Sequence, residues 1–230
     1  LIARELDLQV SELPSLLYQT GLTVDQFMQE DTLLTSHQQI QVIQNGLVLS
    51  NDDTFGLRLG RRLTPPTHGA LGFLASSSPD LLIALQALQT YLPSRMNFAR
   101  AEIVTTDDWL EGHCYFDIDM NDKIERCFSE VFAKIFFDFA EFILGRQLHE
   151  GITYFTHDKP KYSEHYSDYL PGKFEFSSER LMVRIPVELS DTPNTSTNPE
   201  NYLFAMQQCE RMQAKLPSNK NTTKYRIQTL

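Results

Sequence analysis

The stretch from Asp122 to Gly145 constrains this chain more than any other. Ile124, Cys127, Phe128, Val131, Ile135, Phe139, Phe142 and Ile143 recur at spacings of three and four, which predicts one long amphipathic helix stopped by Gly145. Phe132, Phe136 and Phe137 widen the apolar arc beyond a single stripe, so the helix has to bury two sides. Those three rings suit a plain core, the wall of a pocket or a two-fold dimer seam, and the pattern leaves all three open.

A chain of 230 residues is long enough to surround such a helix, since a domain of this size removes about 70% of its unfolded surface from water. Hydrophobic residues at 41% and charged residues at 22% sit near the averages for globular proteins, which argues against disorder and against membrane insertion. The 20 Lys and Arg against 30 Asp and Glu give a formal charge of -10, a field that repels nucleic acid unless a local basic stripe overcomes it. Arg58, Arg61 and Arg62 form the densest cationic cluster, but their helical spacing among apolar residues reads as a solvated face. Cys114, Cys127 and Cys209 are odd in number and lack metal spacing, so reduced buried thiols are expected, with neither metal nor cofactor. Arg4, Glu5 and Asp7 interrupt the first residues, and no run reaches the ~18 apolar residues of a spanning helix, which points to the cytoplasm and away from a membrane.

The fold class expected is α+β: a helical N-terminal third, then a mixed or antiparallel sheet packed on long aromatic-rich helices. Pro14 opens a helix over Ser15 to Thr20, Thr23 caps one over Val24 to Gln29, and Ile40, Ile43 and Leu47 mark a third from Ser36 to Asn51. Phe55 to Gly60 lacks the glycine spacing of a phosphate cradle. Ser78 as cap and Pro79 at the first position start a helix carrying Leu81, Leu82, Leu85, Leu88 and Leu92. Phe98 to Thr105 and Trp109 to Ile118 read as a hairpin, and a strand Ile152 to Thr156 precedes a short helix near Tyr162 to Leu170. A second hairpin pairs Lys173 to Phe176 with Leu181 to Ile185, and a last helix spans Glu200 to Lys215. Residues 1–215 then form one domain with a helical subregion over 1–52, and 216–230 read as a polar linker.

No complete catalytic motif is present. His113 and Cys114 are adjacent on a strand and point to opposite faces, so they form no local dyad. Asp117 and Asp119 share a strand face that could hold a hard cation, though a solvated face is the simpler reading. The titratable and aromatic groups between Tyr154 and Tyr166 could line a polar pocket or decorate a surface loop. A small hydrolase or isomerase would need His157 to converge with Asp158 or Cys114 in a cleft.

Several segments, taken in order, carry a resemblance: Phe55-Gly56-Leu57-Arg58-Leu59-Gly60, Gly69-Ala70-Leu71-Gly72-Phe73-Leu74 with Ser78-Pro79 and the helix through Tyr91, Phe155-Thr156-His157-Asp158-Lys159-Pro160 with Tyr162, and Phe174-Glu175-Phe176 after Pro171-Gly172. In their order and separation the chain resembles the arabinose-binding-type N-terminal domain of AraC/XylS bacterial transcription regulators. It departs from that pattern after Glu188-Leu189, where a longer Ser/Thr/Asn loop precedes the last helix. The resemblance implies a domain that binds a small organic effector, forms a homodimer and governs DNA binding by a helix-turn-helix domain, which this chain does not contain, expected beyond residue 230. DNA would be met only through that domain. A protein-interaction module without a small ligand is the alternative. Candidate effector contacts are Tyr91, Arg95, Trp109, His113, Tyr115, Tyr154 and His157, which combine aromatic bodies with hydrogen-bonding tips near strand faces and helix ends. No catalytic residue is assigned.

Overall fold

In the computed structural model, which describes residues 1–29, 32 and 34–214, the long helix is where the periodicity puts it. It runs over Asp122–Leu144, with the Asn121 side chain accepting from the Ile124 amide at the start and Gly145 in the left-handed conformation at the end. Before it come α1 (Ile2–Glu5), α2 (Leu13–Leu16), α3 (Val24–Met28), α4 (Ser36–Ser50), α5 (Phe55–Arg62), α6 (Ala70–Ser77) and α7 (Leu81–Tyr91), then strands β1 (Ala99–Thr105) and β2 (Trp109–Phe116). The long helix is α8; β3 (Ile152–Tyr154), β4 (Lys173–Glu175), β5 (Leu181–Pro186) and α9 (Pro199–Ala214) follow. The expected linker 216–230 lies outside the described residues.

The five strands lie in the order β1-β2-β5-β3-β4, antiparallel except for the parallel pair β3 and β4. The second hairpin is therefore corrected: β3 lies between β4 and β5, held by Thr153 facing Val183 on one side and Phe174 on the other. A polar turn and a neighbouring strand do not fix pairing, because the partner is chosen by sheet-wide burial. Three further boundaries move. Gln19 at φ 61° ends the first predicted helix early, so α2 covers Leu13–Leu16. The Ser78 hydroxyl turns back to the Leu74 carbonyl, and Asp80 caps α7 by accepting from the Ile83 amide. Near Tyr162 the chain forms a 3₁₀ turn, Ser163–Asp168.

The α8 helix divides the interior in two. Phe136, Phe137, Phe139 and Ile143 join the main core with the inner sheet face, α6, α7 and α9. Ile124, Cys127, Phe128 and Val131 join a second core with Ile43 of α4 and Phe55 and Leu59 of α5. Serving both cores is why the apolar arc is so wide. Helix and sheet approach closely because glycine sits under two rings: a Cβ on Gly112 would come to 2.4 Å from Phe136, and one on Gly151 to 2.5 Å from Phe137. Phe136 and Phe137 are 2% and 0% exposed, so they are core residues, while Phe132 is half-buried.

The arginine cluster is tied into the fold while Arg61 and Arg62 stay exposed, so it is only partly a solvated face. Buried Glu5 takes Arg58 Nε at 2.7 Å and Arg62 Nε at 2.5 Å, which ties α1 to α5, and the Arg61 guanidinium lies 5.2 Å above the Tyr169 ring. The two guanidinium groups more than offset the burial of the Glu5 carboxyl and hold it below the usual carboxylate range.

Candidate functional site

Alternation along β2 sends Leu110, Cys114 and Phe116 toward the core and Trp109, Glu111, His113 and Tyr115 to the other face. Register then places Met182 and Arg184 of β5 and Tyr154 of β3 on that same outer face. Four of the seven expected contacts, Trp109, His113, Tyr115 and Tyr154, are thus brought to one surface. There the Arg184 guanidinium lies 4.3 Å from the Trp109 ring and 4.9 Å from the Tyr154 ring. His113 Nε2 lies 3.0 Å from Glu111 Oε2 and its ring stacks on Tyr115 at 6.4 Å. The other three lie elsewhere. Tyr91 faces α9, where burial first and then Glu210 and Cys209 push its hydroxyl up, and Arg95 is exposed after the turn Leu92–Ser94. His157 packs against Phe155, Phe176 and Tyr166 with centroids 4.9, 5.7 and 6.5 Å away.

Two hollows adjoin the sheet. One is the space expected between sheet and aromatic helix, lined by Leu88 and Leu92 before β1, Ala101 and Ile103 of β1, and Phe132 and Phe136 of α8. Its volume of about 40 Å³ is far below the ~300 Å³ at which metabolite sites begin. The other, of about 370 Å³, opens where β2 ends, β5 begins and α8 starts. Tyr115, Asp119, Glu125, Thr156, Glu179 and Arg180 are among its lining residues. Three carboxylates against one guanidinium leave it an excess of negative charge, and among the described residues none of these four charged groups is held in an ion pair. Of the seven expected contacts, Tyr115 alone lines this groove. Asp117 and Asp119 do not share a strand face, because β2 ends at Phe116; Asp117 binds Arg100 through both oxygens at 2.7 and 3.0 Å.

A second polar centre escaped the sequence reading. Glu130 of α8 is fully buried, and its Oε1 accepts from the Tyr162 and Tyr166 hydroxyls at 2.7 and 2.6 Å. A Cβ on Gly56 would stand 2.2 Å from Glu130 Oε2 and 2.9 Å from Cys127 Cα, so the first glycine of Phe55 to Gly60 is a helix-packing residue of α5. The available signal was an acid embedded in the apolar run from Cys127 to Phe139, with two tyrosines four apart downstream.

His157 and the Asp158 carboxylate do not pair. His157 Nδ1 lies 3.0 Å from the Asp158 backbone carbonyl, while the Asp158 carboxylate accepts from Ser177, and burial lowers the imidazole pKa. Burial also pushes the Cys114 thiol up to about 12, which leaves it a poor nucleophile. Among the described residues no three His, Cys, Asp or Glu side chains gather as a metal site would require, and no helix is long and apolar enough to cross a membrane.

Comparison with known proteins agrees with this architecture. The chain is 25% identical over 177 residues to an ornithine utilization regulator of Pseudomonas aeruginosa, a match covering 76% of this chain and 52% of that protein. It therefore spans about half the length of that curated relative. The crystal structure of the transcriptional regulator CdpR from Pseudomonas aeruginosa superposes with a TM-score of 0.63 at 15% identity, over 89% of this chain and 66% of that one, which shows a shared fold. Residues 12–194, from just before α2 to the loop beyond β5, match the family described as the arabinose-binding domain of AraC transcription regulators, and the chain belongs to that family of regulatory N-terminal domains.

Proposed function

We propose that this chain is the effector-sensing and dimerising part of an AraC-type transcription regulator, and that its effector is a small amine-bearing molecule held in the 370 Å³ groove. The groove's position carries the reading: it has the volume of a metabolite site and is built partly from the first turn of α8, the helix around which both cores are organised. An occupant touching Glu125 there has differential contact with any rearrangement of α8, which population shift requires. Asp119, Glu125 and Glu179 suit ammonium groups and Arg180 suits a carboxylate, the polarity of an amino acid with a second amine. Similarity to a regulator of ornithine utilization supports that chemistry. Control of DNA then falls to a helix-turn-helix domain in the full-length protein.

Thermal shift with ornithine, lysine, putrescine, glutarate and arabinose tests the groove. A binding amine at one hundred times its dissociation constant should add about 2.7 kcal/mol of stability, and Glu179→Gln together with Asp119→Asn should abolish the shift. A response to glutarate or arabinose with none to the amines would overturn the assigned chemistry; a response to none of the five would overturn the groove as their site. Light scattering after size exclusion tests the dimer, and a monomer at high concentration removes that half of the reading.

A further inference from the structure

A fully buried carboxyl normally has a cation or several donors around it, because leaving an ionised group short of partners is costly. Glu130 has neither in full. Both of its hydrogen bonds fall on Oε1, from Tyr162 and Tyr166, and Oε2 is buried with no partner. Among groups on its own helix, Arg126 lies with its guanidinium 5.3 Å above the Tyr162 ring and 3.9 Å from Asp53, and buried Cys127 carries a thiol raised by desolvation. From α5, Gly56 presents only backbone, the Leu57 amide makes the weakest of the contacts that favour the ionised carboxyl, and Arg58 is turned away to Glu5 and Asp52. From the 3₁₀ turn come the two phenols, and beyond Tyr166 lies the His157 ring.

We propose that Glu130 is a proton-operated latch: when protonated it lets both phenols and the turn Ser163–Asp168 close tightly over it against α8, and when ionised its buried, half-met charge loosens that closure. Hydrogen bonds to an ionised acceptor are roughly twice as strong as those between neutral groups, but here they do not offset the burial of the charge, so the latch loosens as the proton leaves. Opposing influences bring the titration near neutrality. Burial, the largest, pushes the carboxyl up to about 7, while Tyr166, Tyr162, Arg126 and, least, the Leu57 backbone amide pull it down. The turn is joined to the rest of the domain by aromatic contacts, since Tyr166 meets Phe155 edge-on at 5.4 Å and Phe174 at 5.6 Å. Proton occupancy at Glu130 therefore sets how firmly β3 and β4 are backed by α8. None of this depends on what the groove binds.

Carbon-detected NMR titration of the glutamate carboxyls between about pH 5 and 9, with amide exchange of residues 162–170 corrected for its intrinsic pH dependence, tests the latch. The Glu130 resonance should titrate within about a unit of 7, and exchange in the turn, once corrected, should quicken several-fold above that midpoint. Glu130→Gln should abolish the pH dependence in the turn while leaving His157 in place. Tyr162→Phe, which keeps the carboxyl and deletes one donor to its ionised form, should move the midpoint upward and serves if the glutamine variant does not fold. A Glu130 midpoint in the ordinary carboxylate range would overturn the proposal. So would an exchange profile that is flat, that persists in the glutamine variant, or that fails to move with Tyr162→Phe.

Discussion

Asn194 and Glu130 are both buried polar residues at junctions between elements, and they are satisfied to different degrees. Asn194, 2% exposed in the loop between β5 and α9, donates from Nδ2 to the Ser76 and Ser78 carbonyls at 2.7 and 2.8 Å. Its Oδ1 accepts from the Ser196 amide at 2.9 Å and its own amide donates to the Pro79 carbonyl at 2.8 Å. Every polar atom of that side chain is met. Glu130 leaves one carboxyl oxygen without a partner. The difference teaches that burial alone does not define a role: a fully met amide fastens a loop, whereas a half-met carboxyl stays responsive to the proton.

The largest expected effect breaks the fastened side. Asn194→Ala leaves one buried and one half-buried carbonyl without this donor and should lower unfolding free energy by on the order of 2–4 kcal/mol in urea titrations. A loss below about 0.5 kcal/mol would mean that the loop needs no fastening. Next comes the responsive side, where the sign is fixed by the raised carboxyl. Because the folded state keeps the Glu130 proton up to about pH 7 and the unfolded chain loses it near the ordinary value, wild-type stability falls as pH rises between the two. Glu130→Gln should flatten that contribution, so the two urea-derived stability curves meet in acid and part by on the order of 2–3 kcal/mol above pH 8. Parallel curves across the range would equate the two regions. The smallest effect sharpens the comparison: Thr197, exposed, donates to the Ser77 carbonyl at 3.0 Å in the same loop, and Thr197→Ala should cost only about 0.5 kcal/mol by the same measurement.

What the sequence made legible follows the range of the interaction. Helix α8, the β1–β2 hairpin and the cap at Thr23 are written in spacings of a few residues, and the expected α+β order follows from them. The loop after Glu188-Leu189, which departs from the family pattern, is legible only in three dimensions, since Asn194 reaches Ser76 across the chain. The groove is non-local as well: Asp119, Glu125, Thr156 and Glu179 come from four separate stretches, and only the β2–β5 and β3–β5 registers assemble them. Trp109, His113, Tyr115 and Tyr154, chosen for aromatic bodies with polar tips, share one sheet face through alternation and register, but alternation says nothing of where that face is concave.

The two rings seated over Gly112 and Gly151 have a mechanical consequence. With Phe136 and Phe137 keyed into hollows in the sheet, α8 cannot slide along its own axis without withdrawing both rings. Its 23 residues make about 35 Å of rod, so a register set at two sheet glycines is carried along its whole length. The groove and Glu125 lie at one end of that rod and exposed Phe142 at the other. The position of Glu125 at the groove is thus fixed by rings seated more than two turns away on the same rod.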